Sequence, residues 1–197
     1  MSEPAIRGMT VDEFLCWEDG TDTRYELVGG FVVAMAPPAA RHSRLAGRLG
    51  GAIDAALRSR PPCGVYTEAG IIRPDRNDTC YVADLAVSCE PLRPEDRLIR
   101  DPILIVEILS PSTAASDQQM KVADYRRIPS VMEILLIDSQ QVFAEVLRRE
   151  GDRWITEIVQ GPGATLSLNS VPMAVPMAEL YEGIPIDEAI SRARRLG

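Results

Sequence analysis

Two short, almost wholly apolar runs, each interrupted by one carboxylate, constrain the fold of this 197-residue chain most strongly. Residues 81–87 read YVADLAV and contain Asp84, and residues 103–109 read ILIVEIL and contain Glu107. Such runs are typical of strands that are covered on both faces. An ionised carboxylate buried in such a strand costs several kcal/mol unless a partner compensates its charge. The runs therefore predict a covered central sheet that carries two acids in need of compensation.

Helix and strand signals alternate through the rest of the chain and predict a single α/β domain with a mixed sheet. The Thr10 cap, with Glu13 at the capping-box position, predicts a short helix over residues 10–17. The Gly29-Gly30 pair predicts a hairpin. Further helices are predicted over residues 41–60, 112–128, 177–181 and 187–196, and further strands over residues 64–73, 81–88, 102–109, 131–138, 142–149 and 154–159.

Composition limits the class of protein. Hydrophobic residues make up 46% of the chain, but no apolar stretch approaches the roughly 20 residues that a membrane helix needs. The first residues contain acids and lack the apolar segment of a signal peptide. We therefore expect a cytoplasmic protein without membrane association.

The scarcity of histidine and paired cysteine limits the metal chemistry. His42 is the single histidine, and the four cysteines form no CxxC pair, which argues against a zinc or multi-histidine iron site. Cys80 and Cys89 could approach each other, but we expect the cysteines to be small buried hydrophobes. Any metal would have to be a hard ion held by carboxylates.

Asp84 and Glu107 leave two interpretations open. Each acid could lie at a strand end and meet water, or the two could be buried and compensated. Buried arginine or protonation could compensate them, or both could converge on one Mg²⁺ or Mn²⁺ whose charge removes their repulsion. Lys121 favours convergence on a metal ion, because it is the single lysine among 21 basic residues. Its charge suits the orientation of a water molecule, although an ordinary surface pair with Asp117 is the alternative. Glu26, in a third apolar strand, is either a solvated acid or a further metal ligand.

The sequence resembles the Uma2-like (DUF820) family, which is placed among the PD-(D/E)XK restriction-endonuclease-like nucleases. The resemblance rests on TVDEFLCW, RYELVGG, a helix that opens with His42, YVADLAV, LIVEILSPST, and the spaced Asp117, Lys121 and Tyr125. It covers roughly residues 9–160. It implies one domain over residues 1–197, with a restriction-endonuclease-like core, a mixed central β-sheet flanked by helices, and a C-terminal extension from about residue 161.

The resemblance also implies a set of site residues. Asp84, Glu107 and Lys121 would be catalytic, and Leu109 stands where a standard E-x-K motif has its lysine. A Mg²⁺ or Mn²⁺ ion would be held by Asp84, Glu107, the carbonyl of Ile108 and Glu26. His42, Asp117 and Tyr125 would be auxiliary.

These residues together predict a metal-dependent endonuclease that hydrolyses nucleic acid, with DNA as the expected substrate. The net charge of −8 opposes easy nucleic-acid binding, so we look for local clusters of positive charge. Arg41, Arg44 and Arg48 lie on one side of the second predicted helix and are candidate DNA contacts. A homodimer is expected by analogy. The alternatives are a non-catalytic nucleic-acid- or protein-binding module, or a hydrolase of another phosphate ester.

Overall fold

The computed structural model describes residues 8–110 and 115–187, and of residues 115–118 the backbone alone. Among these residues, no helix is both long enough and apolar enough to cross a membrane. The elements in chain order are α1 (Val11–Leu15), β1 (Tyr25–Val28), β2 (Phe31–Ala34), α2 (Ala40–Leu57), β3 (Gly64–Ile72), β4 (Cys80–Ser88), β5 (Pro102–Leu109), α3 (Ala115–Tyr125), β6 (Glu133–Asp138), β7 (Phe143–Glu150), β8 (Arg153–Gln160), β9 (Thr165–Leu168), β10 (Met173–Pro176) and α4 (Met177–Leu180).

Eight strands form one mixed sheet, which confirms the predicted architecture. Seven follow the order β2-β1-β4-β5-β6-β7-β8, and β3 pairs with β4. β5 and β6 are parallel, whereas the other strand pairs within the described residues are antiparallel. Two parallel neighbours need a crossover, and α3 lies in the connection between them. The crossover brings the helix that carries the lysine back to the strand that carries Glu107.

Helices cover the sheet as the apolar runs of the strands require. α2 buries Leu45, Leu49, Ile53 and Leu57 on one face, where the central strands contribute their side chains to the same core. Each such buried side chain contributes about 1.5–3 kcal/mol to stability. On the other face, a second cluster surrounds the fully buried Tyr125 at the end of α3. The sheet is therefore the middle layer of the domain.

Local signals set the N-terminal elements. Thr10 and Glu13 form the predicted capping box of α1, with the Thr10 backbone N–H 2.8 Å from the Glu13 carboxylate. Gly29 and Gly30 have φ values of 58° and 84°, which a two-residue primed turn requires at both positions. The hairpin therefore forms as predicted and presents the carboxylate of Glu26 on β1.

The C-terminal region differs from the prediction. Residues 165–176 form a two-stranded hairpin, β9–β10, where no strand was predicted from the sequence. Leu166, Leu168, Met173 and Val175 are buried in the core under α2, and Ser167 and Ala174, which alternate with them along the strands, are more exposed. The core thus continues past the predicted boundary at residue 161. The short helix near residues 177–181 is present as α4, whereas the helix predicted over residues 187–196 lies almost wholly outside the described residues.

The expectation that the cysteines are free hydrophobes was wrong for two of them. Cys63 and Cys89 form a disulfide across 26 residues. The reason is the register of β3 and β4, in which Gly64 lies opposite Ser88. Cys63 directly precedes Gly64 and Cys89 directly follows Ser88, so the two cysteines lie side by side at the end of the antiparallel ladder. Cys80 is buried, as expected, and Cys16 is exposed.

A buried carboxylate anchors the C-terminal hairpin to the sheet. Glu133 on β6 accepts hydrogen bonds from Arg148 Nε at 2.8 Å, from Ser170 N at 2.7 Å and from Asn169 N. We expect Glu133→Gln to lower the free energy of unfolding by about 1.5–3 kcal/mol, because hydrogen bonds to a charged group contribute about this much. Urea denaturation checks this, with the exposed Glu150→Gln as the matched control. Equal stability of the two variants would contradict the anchoring role.

Candidate active site

A cavity of about 550 Å³ opens between the β1–β2 hairpin, the first turns of α2, and the strands β4 and β5. Five of the residues that the sequence singled out line this one cavity: Glu26, His42, Asp84, Glu107 and Lys121. They come from five different elements, so the tertiary fold alone brings them together. Ile108 also lines the cavity.

Asp84 and Glu107 lie where two paired strands separate. β4 and β5 pair through Leu85 and Val106, and no backbone pair follows in the direction of the two acids. The Asp84 side chain fills the gap, since the Ile108 N–H donates to Asp84 Oδ2 at 2.6 Å. A carboxylate thus replaces the missing backbone acceptor, and the split exposes both acids to the cavity.

Glu26 is the partner of the lysine. Lys121 Nζ lies 2.6 Å from Glu26 Oε1, and the Val82 N–H donates to the same oxygen at 2.8 Å. Both side chains are more than nine-tenths buried. The salt bridge holds the ammonium group at the cavity wall and compensates the charge of Glu26. The third strand acid is therefore buried and paired, not solvated.

Glu107 remains without a cation of its own in the described part of the chain. Tyr125 OH donates to Glu107 Oε1 at 2.6 Å. Burial raises the pKa of the Glu107 carboxyl to about 8, and the charges of Asp84 and Glu26 act in the same direction, whereas Lys121 and the Tyr125 hydroxyl lower it. Burial beside Glu107 also raises the pKa of Tyr125 well above its usual value, so its hydroxyl is a donor at neutral pH.

The raised pKa of Glu107 predicts how stability depends on pH without metal. Its pKa exceeds the unfolded value of 4.5, so the folded protein holds a proton that the unfolded chain releases between these values. The free energy of unfolding should therefore fall as pH rises from about 5 to 8, by up to about 1.4 kcal/mol per unit. Urea denaturation in EDTA at a series of pH values checks this. Glu107→Gln should remove that part of the slope, and an unchanged slope would contradict the assignment.

His42 contacts the second acid from the first turn of α2. His42 Nε2 lies 3.1 Å from Asp84 Oδ1, and the imidazole is 14% exposed. His42 Nδ1 is buried and has no hydrogen-bond partner among the described residues. The imidazole therefore contacts Asp84 beside the cavity, and its auxiliary role stays a prediction.

A buried network that the sequence analysis did not single out holds α3 against the sheet. Asp124 accepts from Arg73 at 2.6 Å and from Tyr81 OH at 2.8 Å. The ring of Tyr81 lies 5.6 Å from Lys121 Nζ. Asp124 comes three residues after Lys121, so the network fixes the turn of α3 that carries the lysine. The sequence signal for this network was Asp124, an acid next to Tyr125 in the predicted helix. Its partners Tyr81 and Arg73 lie 43 and 51 residues away in the sequence, so the sequence did not identify them.

Comparison with known proteins identifies the family. Residues 11–178 match the model of the Uma2 family, described as "Putative restriction endonuclease". The chain belongs to the Uma2 family. Two uncharacterized Synechocystis proteins are similar along most of their length: slr1290 is 28% identical over 184 residues (89% of this chain, 93% of the relative), and sll1609 is 26% identical over 165 residues (82% and 93%).

A solved structure shares the fold of this Uma2 protein. The crystal structure of a "putative nuclease belonging to DUF820" from Anabaena variabilis superposes with a TM-score of 0.73 and 19% identity. The match covers 88% of this chain and 97% of the other. The resemblance inferred from the motifs is thus confirmed for the family and the fold.

Two predicted site residues, Leu109 and Asp117, are not among the described residues that line the cavity. Leu109, at the position of the lysine in a standard motif, packs against the core around Tyr125, and Lys121 reaches the cavity from α3 instead. The side chain of Asp117 lies outside the described residues. Asp117 therefore stays a prediction, as does the catalytic role of Lys121, which lines the cavity from α3.

The arginines of α2 contact the C-terminal segment of the described chain. Arg48 donates to the backbone oxygen of Glu179 at 2.8 Å, and Arg41 donates to that of Pro185 at 3.4 Å. Arg44 lies against Gly183, and none of the three arginines lines the cavity. Their contacts attach the C-terminal segment to α2, and their role as nucleic-acid contacts stays a prediction.

The donor set of the cavity fits a hard divalent cation. Within the described residues, no three His, Cys, Asp or Glu side chains form a ready ligand cluster. Asp84 and Glu107 nevertheless present carboxylate oxygens beside the backbone of Ile108. Burial raises the pKa of Glu107 because it disfavours the ionised carboxylate, and a bound cation would compensate that charge. Oxygen ligands of this kind suit Mg²⁺ or Mn²⁺. Glu26 is less suited, because Lys121 already occupies one of its oxygens.

Proposed function

We propose that this Uma2 protein is a Mg²⁺- or Mn²⁺-dependent endonuclease that hydrolyses phosphodiester bonds in DNA. The observation that carries the proposal is the meeting of Asp84, Glu107 and Lys121 in one cavity, at the point where β4 and β5 separate. The family description supports a nuclease, and the carboxylate pair supports a metal-dependent one.

Each residue of the site has a distinct role in the proposed hydrolysis. Asp84, Glu107 and the carbonyl of Ile108 would hold the cation, which when bound supplies a Lewis acid that polarises the phosphate. Lys121, positioned by its salt bridge to Glu26, donates a hydrogen bond that orients the attacking water and stabilises negative charge on the phosphate. Tyr125 and His42 fix the two carboxylates.

The overall reaction is balanced by water alone. One bond forms between the oxygen of water and phosphorus, and one phosphorus–oxygen ester bond breaks. The products are a phosphate monoester and a hydroxyl group, so neither an oxidant nor a cosubstrate is needed. The role of the chain is to position the water and to compensate charge.

Incubation with supercoiled plasmid, linear duplex, single-stranded DNA and RNA tests the proposal. We expect cleavage of DNA in Mg²⁺ or Mn²⁺ and none in EDTA. The absence of divalent-dependent cleavage on every substrate would contradict it.

The net charge of −8 favours the alternative of a binding module with little turnover, because nucleic-acid enzymes usually carry a basic surface. Under this alternative, calorimetry would detect binding of nucleic acid or a protein partner that does not require metal, without cleavage. A homodimer remains a proposal by analogy, and sedimentation of the purified chain would test it.

A further inference from the structure

The cavity has a second, apolar set of lining residues beside the catalytic candidates. Seven consecutive residues, 33–39, read VAMAPPA and all line it. Val33 is 46% exposed, and the two prolines have no backbone N–H to donate. An uncharged surface of this kind suits the flat face of a base or a sugar ring, and offers little to a phosphate.

The cavity mouth carries an exposed ion pair. Arg24 and Glu68 both line the cavity and form a salt bridge, with side chains 41% and 57% exposed. Exposed pairs contribute about 0–1 kcal/mol, so Arg24 can exchange its partner for a phosphate at small cost. Within the described residues, Arg24 is the single arginine that lines the cavity, and the other cation, Lys121, is already held by Glu26.

The backbone at Glu68 adds a second observation. Glu68 has a φ of 51°, in the left-handed region, although it is not a glycine. It lies on β3 between Thr67 and Ala69, whose partners Leu85 and Ala83 flank Asp84. Such a conformation costs of order 1 kcal/mol or more and is found at functional sites. The Glu68 carboxylate holds Arg24 at the cavity, beside β4, the strand that carries Asp84.

The volume of the cavity and the net charge of the chain favour binding of single-stranded over double-stranded DNA. A cavity of about 550 Å³ lies within the range that encloses a small ligand, comparable to one nucleotide unit. Stable duplex binding usually relies on many phosphate contacts from arginine and lysine, whereas this chain has a net charge of −8 and one exposed arginine among the described residues of the cavity.

We propose that the site takes single-stranded DNA, with the nucleoside beside the cleaved phosphate against residues 33–39 and a neighbouring phosphate on Arg24. This substrate class rests on the proposed nuclease function and narrows it. In a duplex, the strand would have to unstack one nucleotide before cleavage, at an additional cost in free energy.

Fluorescence anisotropy with a short labelled oligonucleotide, single-stranded or annealed to its complement, tests the preference. We would use the Asp84→Asn variant in Mg²⁺, which should bind without cleaving. We expect the single strand to bind at least ten-fold more tightly than the duplex. Equal or tighter duplex binding would overturn the proposal.

The role of Arg24 is tested by Arg24→Ala in the same background. We expect about ten-fold weaker single-strand binding, and a salt dependence of log K that is shallower by about 0.7, the value for one lost contact. Arg153→Ala, at the far edge of the sheet on β8, should leave both unchanged. Conversely, Glu68→Gln should strengthen binding up to about five-fold, because it frees Arg24. Unchanged binding in Arg24→Ala would overturn its assignment.

The apolar surface is tested by Met35→Glu, compared with Met132→Glu, an exposed methionine outside the cavity. Single-strand affinity should fall more than ten-fold in the first variant and stay unchanged in the second, with equal melting temperatures. Equal affinity of the two variants would contradict the contact. These binding results are independent of turnover: if the wild-type protein cleaves neither form of DNA, the proposed nuclease function fails, whereas cleavage with duplex preference overturns the substrate class alone.

Discussion

Replacing Lys121 by methionine should reduce cleavage by about 10²–10³-fold, because an oriented donor at the developing phosphate charge contributes this much. Lys121→Arg should also abolish cleavage, since the planar guanidinium cannot replace a compact ammonium held at 2.6 Å by Glu26. Rates on DNA at saturating Mn²⁺ measure the effect. Arg127→Met, an exposed cation just beyond α3, is the matched control.

Lys121→Met should also lower the free energy of unfolding by about 3–5 kcal/mol, because it leaves the buried Glu26 carboxylate without its cation. The double variant Lys121→Met/Glu26→Gln should regain most of that stability without regaining cleavage. Urea denaturation and cleavage rates on the same samples separate the two roles. Full activity in a stable Lys121→Met protein would remove the lysine from the mechanism.

Asp84→Asn should lower cleavage by at least about 10²-fold while the fold stays intact. In the native protein the Ile108 N–H donates a hydrogen bond to Asp84. The asparagine amide keeps an oxygen that can accept this bond, so the separation of β4 from β5 should persist. The substitution replaces a charged metal ligand by a neutral one. Loss of a group that merely supports a metal ligand typically lowers metal affinity by about 10–100-fold, so we expect the affinity for Mn²⁺ to fall by at least this much.

Calorimetry with Mn²⁺ and cleavage rates measure these two effects of Asp84→Asn. Asp152→Asn, in the exposed turn between β7 and β8, is the matched control and should change neither. Retained cleavage in Asp84→Asn, with unaltered Mn²⁺ binding, would show that the metal-dependent step takes place elsewhere.

Much of the fold could be predicted because its signals are local. The capping box of Thr10 and Glu13, the Gly29-Gly30 turn and the apolar runs around Asp84 and Glu107 each lie within a few residues, and each formed the expected element. The C-terminal hairpin also carried a local signal, the alternation of buried residues in β9 and β10. Its prolines concealed that signal, since proline is more typical of loops than of strands.

The contacts that complete the site could not be predicted, because distant segments make them. Glu26 and Lys121 are 95 residues apart, and Arg73 and Asp124 are 51 apart. The periodicity of one helix or strand contains no information on which charges will meet across such distances. For the same reason, the arginines of α2 were predicted as candidate DNA contacts, and the contact of Arg48 with the C-terminal segment was not predicted.

Anomalous diffraction from a crystal soaked in Mn²⁺ tests the central claim most directly. The account predicts an anomalous peak between the carboxylates of Asp84 and Glu107, with the ammonium group of Lys121 on the same side of the sheet. Mn²⁺ bound elsewhere, or carboxylates that keep their metal-free contacts at saturating Mn²⁺, would contradict it.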